Sequence, residues 1–186
     1  MSITRKNFTR QYEHIAVIAH GAHPEYRLEF SAPVKDETDS YKIFQGSVVS
    51  LNADGQFVAG CAIGTGVNFP VPMISMKNIF DPDVTTGVTG VDYTTSTYSS
   101  VGGNITAIPC TGSYEIETTE FTEGTYKPND GVIVDGTNKG KVTVATVSPG
   151  STEVYVGFVS RAPYKPANFN QKRLAFFTNF IPGKHA

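Results

Sequence analysis

Between Gly112 and Arg161 the chain is forced to turn every few residues. Tyr126-Lys127-Pro128-Asn129-Asp130-Gly131, Asp135-Gly136, Asn138-Lys139-Gly140 and Ser148-Pro149-Gly150 are turn clusters. Gly and Asn supply positive φ and Pro locks φ at about −65°, so no helix of ordinary length fits between them. The runs that separate the turns read as strands. Tyr114 and Ile116 alternate with Glu115 and Glu117, as in a half-exposed strand whose acidic side faces solvent and discourages edge pairing. Phe121 breaks that parity, which predicts a bulge or bend at Thr118-Thr119. Val132–Val134 is short, and Lys141–Val147 alternates. Thr152–Ser160 places Val154, Val156 and Phe158 on one face and Tyr155 and Val159 on the other. The stretch carries no recognisable catalytic constellation.

The same grammar extends upstream to Tyr41. Tyr41–Phe44, Ser47–Leu51 and Gln56–Ile63 are strand candidates, with Asn52-Ala53-Asp54-Gly55 as a hairpin turn. Val71–Met76 is apolar, but Pro72 has no ladder donor and demotes it to an edge or irregular strand. Asp81–Gly103 is rich in Thr, Ser and Gly and long for a connector, so a loop projecting from the domain is expected. Residues 1–40 hold three of the four histidines and little turn chemistry. There Ile15–Ile18 is too short for periodicity to assign, Glu25–Phe30 alternates, and Ser31–Ser40 reads as a linker or exposed loop. The expected organisation is all-β. A sandwich or barrel-like domain of short antiparallel strands spans 41–186, preceded by an N-terminal arm over 1–40. The competing reading has 1–40 contribute ordinary strands to the core.

Arg173–Ile181, RLAFFTNFI, is apolar on both faces, with Leu174, Phe176 and Phe180 on one and Ala175, Phe177 and Ile181 on the other. Such a strand is covered on both sides, by its own domain or by another chain. A weak echo links Tyr41-KIFQGSVVSLNADGQFVAGC to Tyr126-KPNDGVIVDGTNKGKVTVA. It reads as a duplicated β-unit or as the shared grammar of hairpins, and the second is the simpler explanation.

Composition narrows the function. With 186 residues the chain is long enough for one sizeable core. Charged residues make up 17%, below the usual ~25%, and the formal net charge is −2. That balance gives no overall pull on nucleic acid. No apolar run approaches the ~18 residues of a membrane span, and near the N-terminus Ile15–Ala19 falls short of the ~7–15 of a secretion signal, so assembly in the cytoplasm is expected. Cys61 and Cys110 are too few for a disulfide framework, and buried free thiols are the expected state.

Reactive sites are hard to find. His14, His20 and His23 lie close together without an HExxH pattern or an acidic partner at ligand spacing. Asp81-Pro82-Asp83 lacks the rest of a calcium loop, and Gly64-Thr65-Gly66 lacks the lysine and βαβ setting of a phosphate loop. There is no G-x-S-x-G elbow. No cofactor, metal or catalytic residue is assigned, and the expected protein is not an enzyme.

Several segments carry a family resemblance. They are Ala107-Ile108-Pro109, Gly112–Phe121 (GSYEIETTEF), Tyr126–Asp130, Gly140–Thr143, Val156–Arg161 (VGFVSR) and Leu174–Phe177 with Ile181-Pro182-Gly183. In these the C-terminal half resembles capsid decoration, or cement, proteins of tailed bacteriophages. The resemblance implies a β-rich virion protein on the outer capsid surface, bound to the major capsid protein where capsomers meet. It also implies self-association, with a trimer preferred over a dimer, and no membrane or direct nucleic-acid partner. The candidate capsid or subunit contacts are Arg5, Arg10, Tyr12, Ile15, Val17, Tyr26, Leu28 and Phe30 in the arm. Leu174, Phe176, Phe177 and Phe180 join them from the last strand. The alternative is another virion β-protein, a tail or fibre component that binds a receptor or glycan.

Overall fold

The structure is a computed structural model and describes residues 16–21, 29–35, 43–61, 71–76, 104–112, 114–146, 153–167 and 171–181. The described residues form strands and connections, without a helix. The strands are β1 (Ala16–Gly21), β2 (Phe30–Pro33), β3 (Val48–Leu51), β4 (Phe57–Ala59), β5 (Met73–Ser75) and β6 (Asn104–Pro109). They continue with β7 (Tyr114–Thr118), β8 (Gly131–Val134), β9 (Val142–Val144), β10 (Tyr155–Tyr164) and β11 (Arg173–Ile181).

They build two antiparallel sheets. The larger has six strands in the order β1-β7-β11-β10-β8-β9, and the smaller has five in the order β2-β6-β5-β3-β4. Each sheet curls until its edges meet. Val34, just past β2, forms a parallel bridge with Phe57 at the start of β4, and Lys35 N–H donates to the Phe57 carbonyl at 2.9 Å. Phe121, just past β7, bridges Val142 at the start of β9 in the same sense, and Thr122 N–H donates to the Val142 carbonyl at 2.8 Å. Both sheets are therefore ring-like, which limits the exposed edge that an open sheet would carry. β1 is added outside the larger ring, antiparallel to β7.

Setting β1 aside, the two rings have one topology: β2 to β6 occupy the places of β7 to β11. The register agrees as well. Val49 faces Ala59 and Leu51 faces Phe57 in the smaller ring; Val132 faces Val144 and Val134 faces Val142 in the larger. Burial follows register, with Val49, Phe57, Val132 and Val142 all at 0% exposure. The echo in sequence thus falls on equivalent hairpins of a structural repeat, and the duplicated-unit reading is the one the fold supports.

Local chemistry explains both hairpins. Asn52 Oδ1 accepts from the N–H groups of Asp54 and Gln56, and Asp135 Oδ1 accepts from those of Thr137 and Asn138. Each side chain folds the backbone over itself. Gly55 and Gly140 close the two turns at φ of 74° and 84°, a region that side chains with a Cβ rarely enter.

Two buried clusters result. Inside the smaller ring lie Ala32, Val34, Ile43, Val49, Phe57, Met73, Ile105 and Ala107. The larger cluster holds Ile116, Val132, Val142, Val159, Leu174 and Phe176 from the second ring. It also takes in Val48, Ile74 and Ile108, from the outer face of the first. Fully burying a side chain of this kind contributes roughly 1.5–3 kcal/mol. The rings are further joined by hydrogen bonds from Val48 N–H to the Gly140 carbonyl, at 2.7 Å, and from Thr118 Oγ1 to the Gly46 carbonyl, at 3.2 Å.

Several expectations change. Within 1–40, residues 16–21 and 30–33 are sheet strands, as the competing reading had it. The other arm residues, except 29, 34 and 35, lie outside those described, as does the expected loop at 81–103. β5 is not an edge: it starts just after Pro72 and sits between β6 and β3. Pro72 needs no ladder donor there, because its carbonyl serves instead, accepting from Cys110 N–H at 3.0 Å. Strict alternation over 152–160 also fails. Register shifts along β10 bring both Val156 and Val159 into the core.

Candidate functional site

The outer face of the larger ring combines an exposed aromatic with a buried charge cluster. β11 lies between β7 and β10, so each of its outward residues has a neighbour on both sides. Phe177 pairs across to Phe158 on β10 and to Glu115 on β7. Phe158 is half-buried, whereas Phe177 is 52% exposed. Close strand approach is needed here, since a Cβ on Gly157 would collide with the Phe177 carbonyl and the Phe176 ring.

Beside the aromatics the face turns polar. Glu115 accepts a hydrogen bond from Ser160 Oγ. Glu117, two residues along, receives Arg173 Nη1 at 3.3 Å and faces Arg161 Nη1 at 3.9 Å. The Arg161 guanidinium stacks on the Tyr164 ring, 4.6 Å from its centroid. Burial raises the Tyr164 pKa, and its hydrogen bond to Glu117 adds to the rise. Glu115, Glu117 and Arg173 are all buried. This corrects the solvent-facing acidic row expected from sequence. A buried carboxylate needs a hydrogen-bond or charge partner, and those present, the Ser160 hydroxyl for Glu115 and the Arg173 guanidinium for Glu117, lie 45 and 56 residues away in the chain.

The candidate contact residues separate clearly. Leu174 and Phe176 are at 0% exposure inside the ring, so they hold the strand rather than touch a partner. Phe177, on the same strand, points outward and is exposed. Phe30 is 45% exposed and meets the buried Phe57 edge-on, with ring centroids 6.1 Å apart. Val17 and Phe180 lie in β1 and β11. Arg5, Arg10, Tyr12, Ile15, Tyr26 and Leu28 lie outside the described residues, as do His14, His23, Gly64–Gly66 and Asp81–Asp83.

Chemically this face sets an exposed aromatic beside a charge-balanced polar cluster. The two carboxylates and two guanidinium groups balance, so it exerts no net pull on phosphate. Cys61 and Cys110 are buried free thiols in the larger cluster. Burial pushes the Cys61 thiol up to about 12, with a hydrogen bond to Ser50 opposing the rise, and it stays protonated and unreactive. Among the described residues no group of three His, Cys, Asp or Glu is placed to hold a metal ion. No protein-family model, curated protein or solved structure matches this chain.

Proposed function

We propose that this chain is a virion structural protein that binds the outer surface of a tailed-phage capsid and stabilises the shell where capsomers meet. The observation that carries the reading is the resemblance over residues 107–183, centred on YEIETTEF and VGFVSR. These segments form β7 with its bridge residue Phe121, and most of the first half of β10. They flank β11, which presents Phe177 between them. Two joined rings with packed interiors suit a protein that acts by binding and must keep its shape under load. Single contacts to the major capsid protein need only be modest, because repetition over a shell multiplies them.

The test is particle composition and shell strength. Purified virions should contain the protein at a fixed ratio to the major capsid protein. Particles made without it should release DNA at a lower temperature, and adding the purified chain should restore them. Its absence from purified particles would end this reading. Localisation to the tail would give the fibre or tail alternative instead.

A further inference from the structure

The two rings match in order and register, yet one outer row is buried throughout and its counterpart opens at one end, at Phe177. In the smaller ring the row Val48–Ile74–Ile108 crosses β3, β5 and β6. All three residues are at 0% exposure. The equivalent row in the larger ring is Gly131–Phe158–Phe177, across β8, β10 and β11. There Phe177 is 52% exposed.

The first row is covered by the larger ring of the same chain. Val48 N–H donates to the Gly140 carbonyl, and a Cβ on Gly140 would lie 3.3 Å from Ser47 Oγ. Gly140 closes the β8–β9 turn, so that turn is part of the cover. Its counterpart in the smaller ring is Gly55, which closes the β3–β4 turn with the same left-handed backbone. Gly55 is exposed, and a Cβ there would meet nothing within 4 Å. Among the described residues the chain therefore has one outer row left open at Phe177 and one turn, at Gly55, exposed where its counterpart at Gly140 is packed.

We propose that a second copy of this chain completes the pattern. Its Asn52–Gly55 turn seats on the Phe158–Phe177 row, repeating between chains the packing that joins the rings within one. The two surfaces differ, so the contact is heterologous and propagates head to tail until rotation closes it into a ring of chains. The inference rests on the internal repeat and not on the capsid reading, and a chain that self-associates without touching a capsid would separate the two.

Sedimentation of the purified full-length chain from about 1 to about 100 µM tests it, a range that brackets micromolar association. Two variants probe opposite surfaces. Phe177→Ser removes the exposed ring. Gly55→Asn keeps the turn, since Asn tolerates left-handed backbone, but fills the space a neighbour would occupy. The wild type should exceed monomer mass. Each variant alone should associate at least about tenfold more weakly, with its melting curve unchanged. An equimolar mixture of the two should form a heterodimer, because one keeps the intact turn and the other the intact row. A wild type that stays monomeric throughout, either variant associating as the wild type does, or a mixture that stays monomeric would overturn the proposal.

Discussion

Asp135 shows how one residue can hold a turn against the cost of burying a charge. Burial works against its carboxylate. Hydrogen bonds from Asn138, from Thr122 and from the backbone of Asn138 and Thr137 outweigh that, and its pKa falls to about 2. The folded value lies below the unfolded ~3.9. The carboxylate therefore stabilises the fold above a pH of about 4, and that contribution disappears as pH falls toward 2. Asp135→Ala should lose about 1–3 kcal/mol at neutral pH. It should also lose less stability than the wild type on acidification through that window. Urea unfolding at pH values on either side of the window measures both effects. An acidic residue opening a turn was legible in sequence, because Thr137 and Asn138 lie within three residues of it; the Thr122 hydroxyl, 13 residues away, was not.

At the scale of the element, β7 is where sequence pattern and structure part. Alternation correctly identified a strand and its two faces. It could not tell that residues on both faces are buried, Tyr114 and Ile116 toward the core and Glu115 and Glu117 among side chains from β10 and β11. Glu117 is thereby held with Arg173 in a buried pair. Removing one member takes this ion pair away from a charge that stays buried, so Glu117→Ala should destabilise by about 3–5 kcal/mol. Replacing both, as Glu117→Leu with Arg173→Leu, should cost clearly less than the single change, since desolvation is then avoided on both sides. Chemical denaturation of the two single variants and the double variant gives the coupling directly. Equal losses in Glu117→Ala and the double variant would show that packing, not charge, sets the cost.

For the whole molecule, the shared cluster makes the rings interdependent. Ile108 and Phe177 hold equivalent places in the repeat, yet Ile108 is fully buried between the rings and Phe177 is half open. Ile108→Ala should cost about 2–5 kcal/mol. Phe177→Ala should change monomer stability by only about 0.5 kcal/mol. Calorimetry and circular dichroism should each show one transition for the wild type, because the cluster that fills the larger ring also holds the outer row of the smaller. Two separate transitions would show that the rings fold independently.

Sequence alone determined the all-β class, the hairpin turns at Asn52–Gly55 and Asp135–Gly140, and the bend after Thr118. Each depends on residues a few positions apart, and turn chemistry acts over that distance. The candidate surface was legible only in part. A strand apolar on both faces pointed to β11, but a period of two residues cannot say which face is core, so Leu174 and Phe176 stood level with Phe177. Tertiary structure decided that, by closing each sheet through a parallel bridge, burying Glu115 and Glu117 beside distant partners, and setting one ring over the outer row of the other. Coverage depends on what the rest of the chain brings to a face, and no local pattern encodes it.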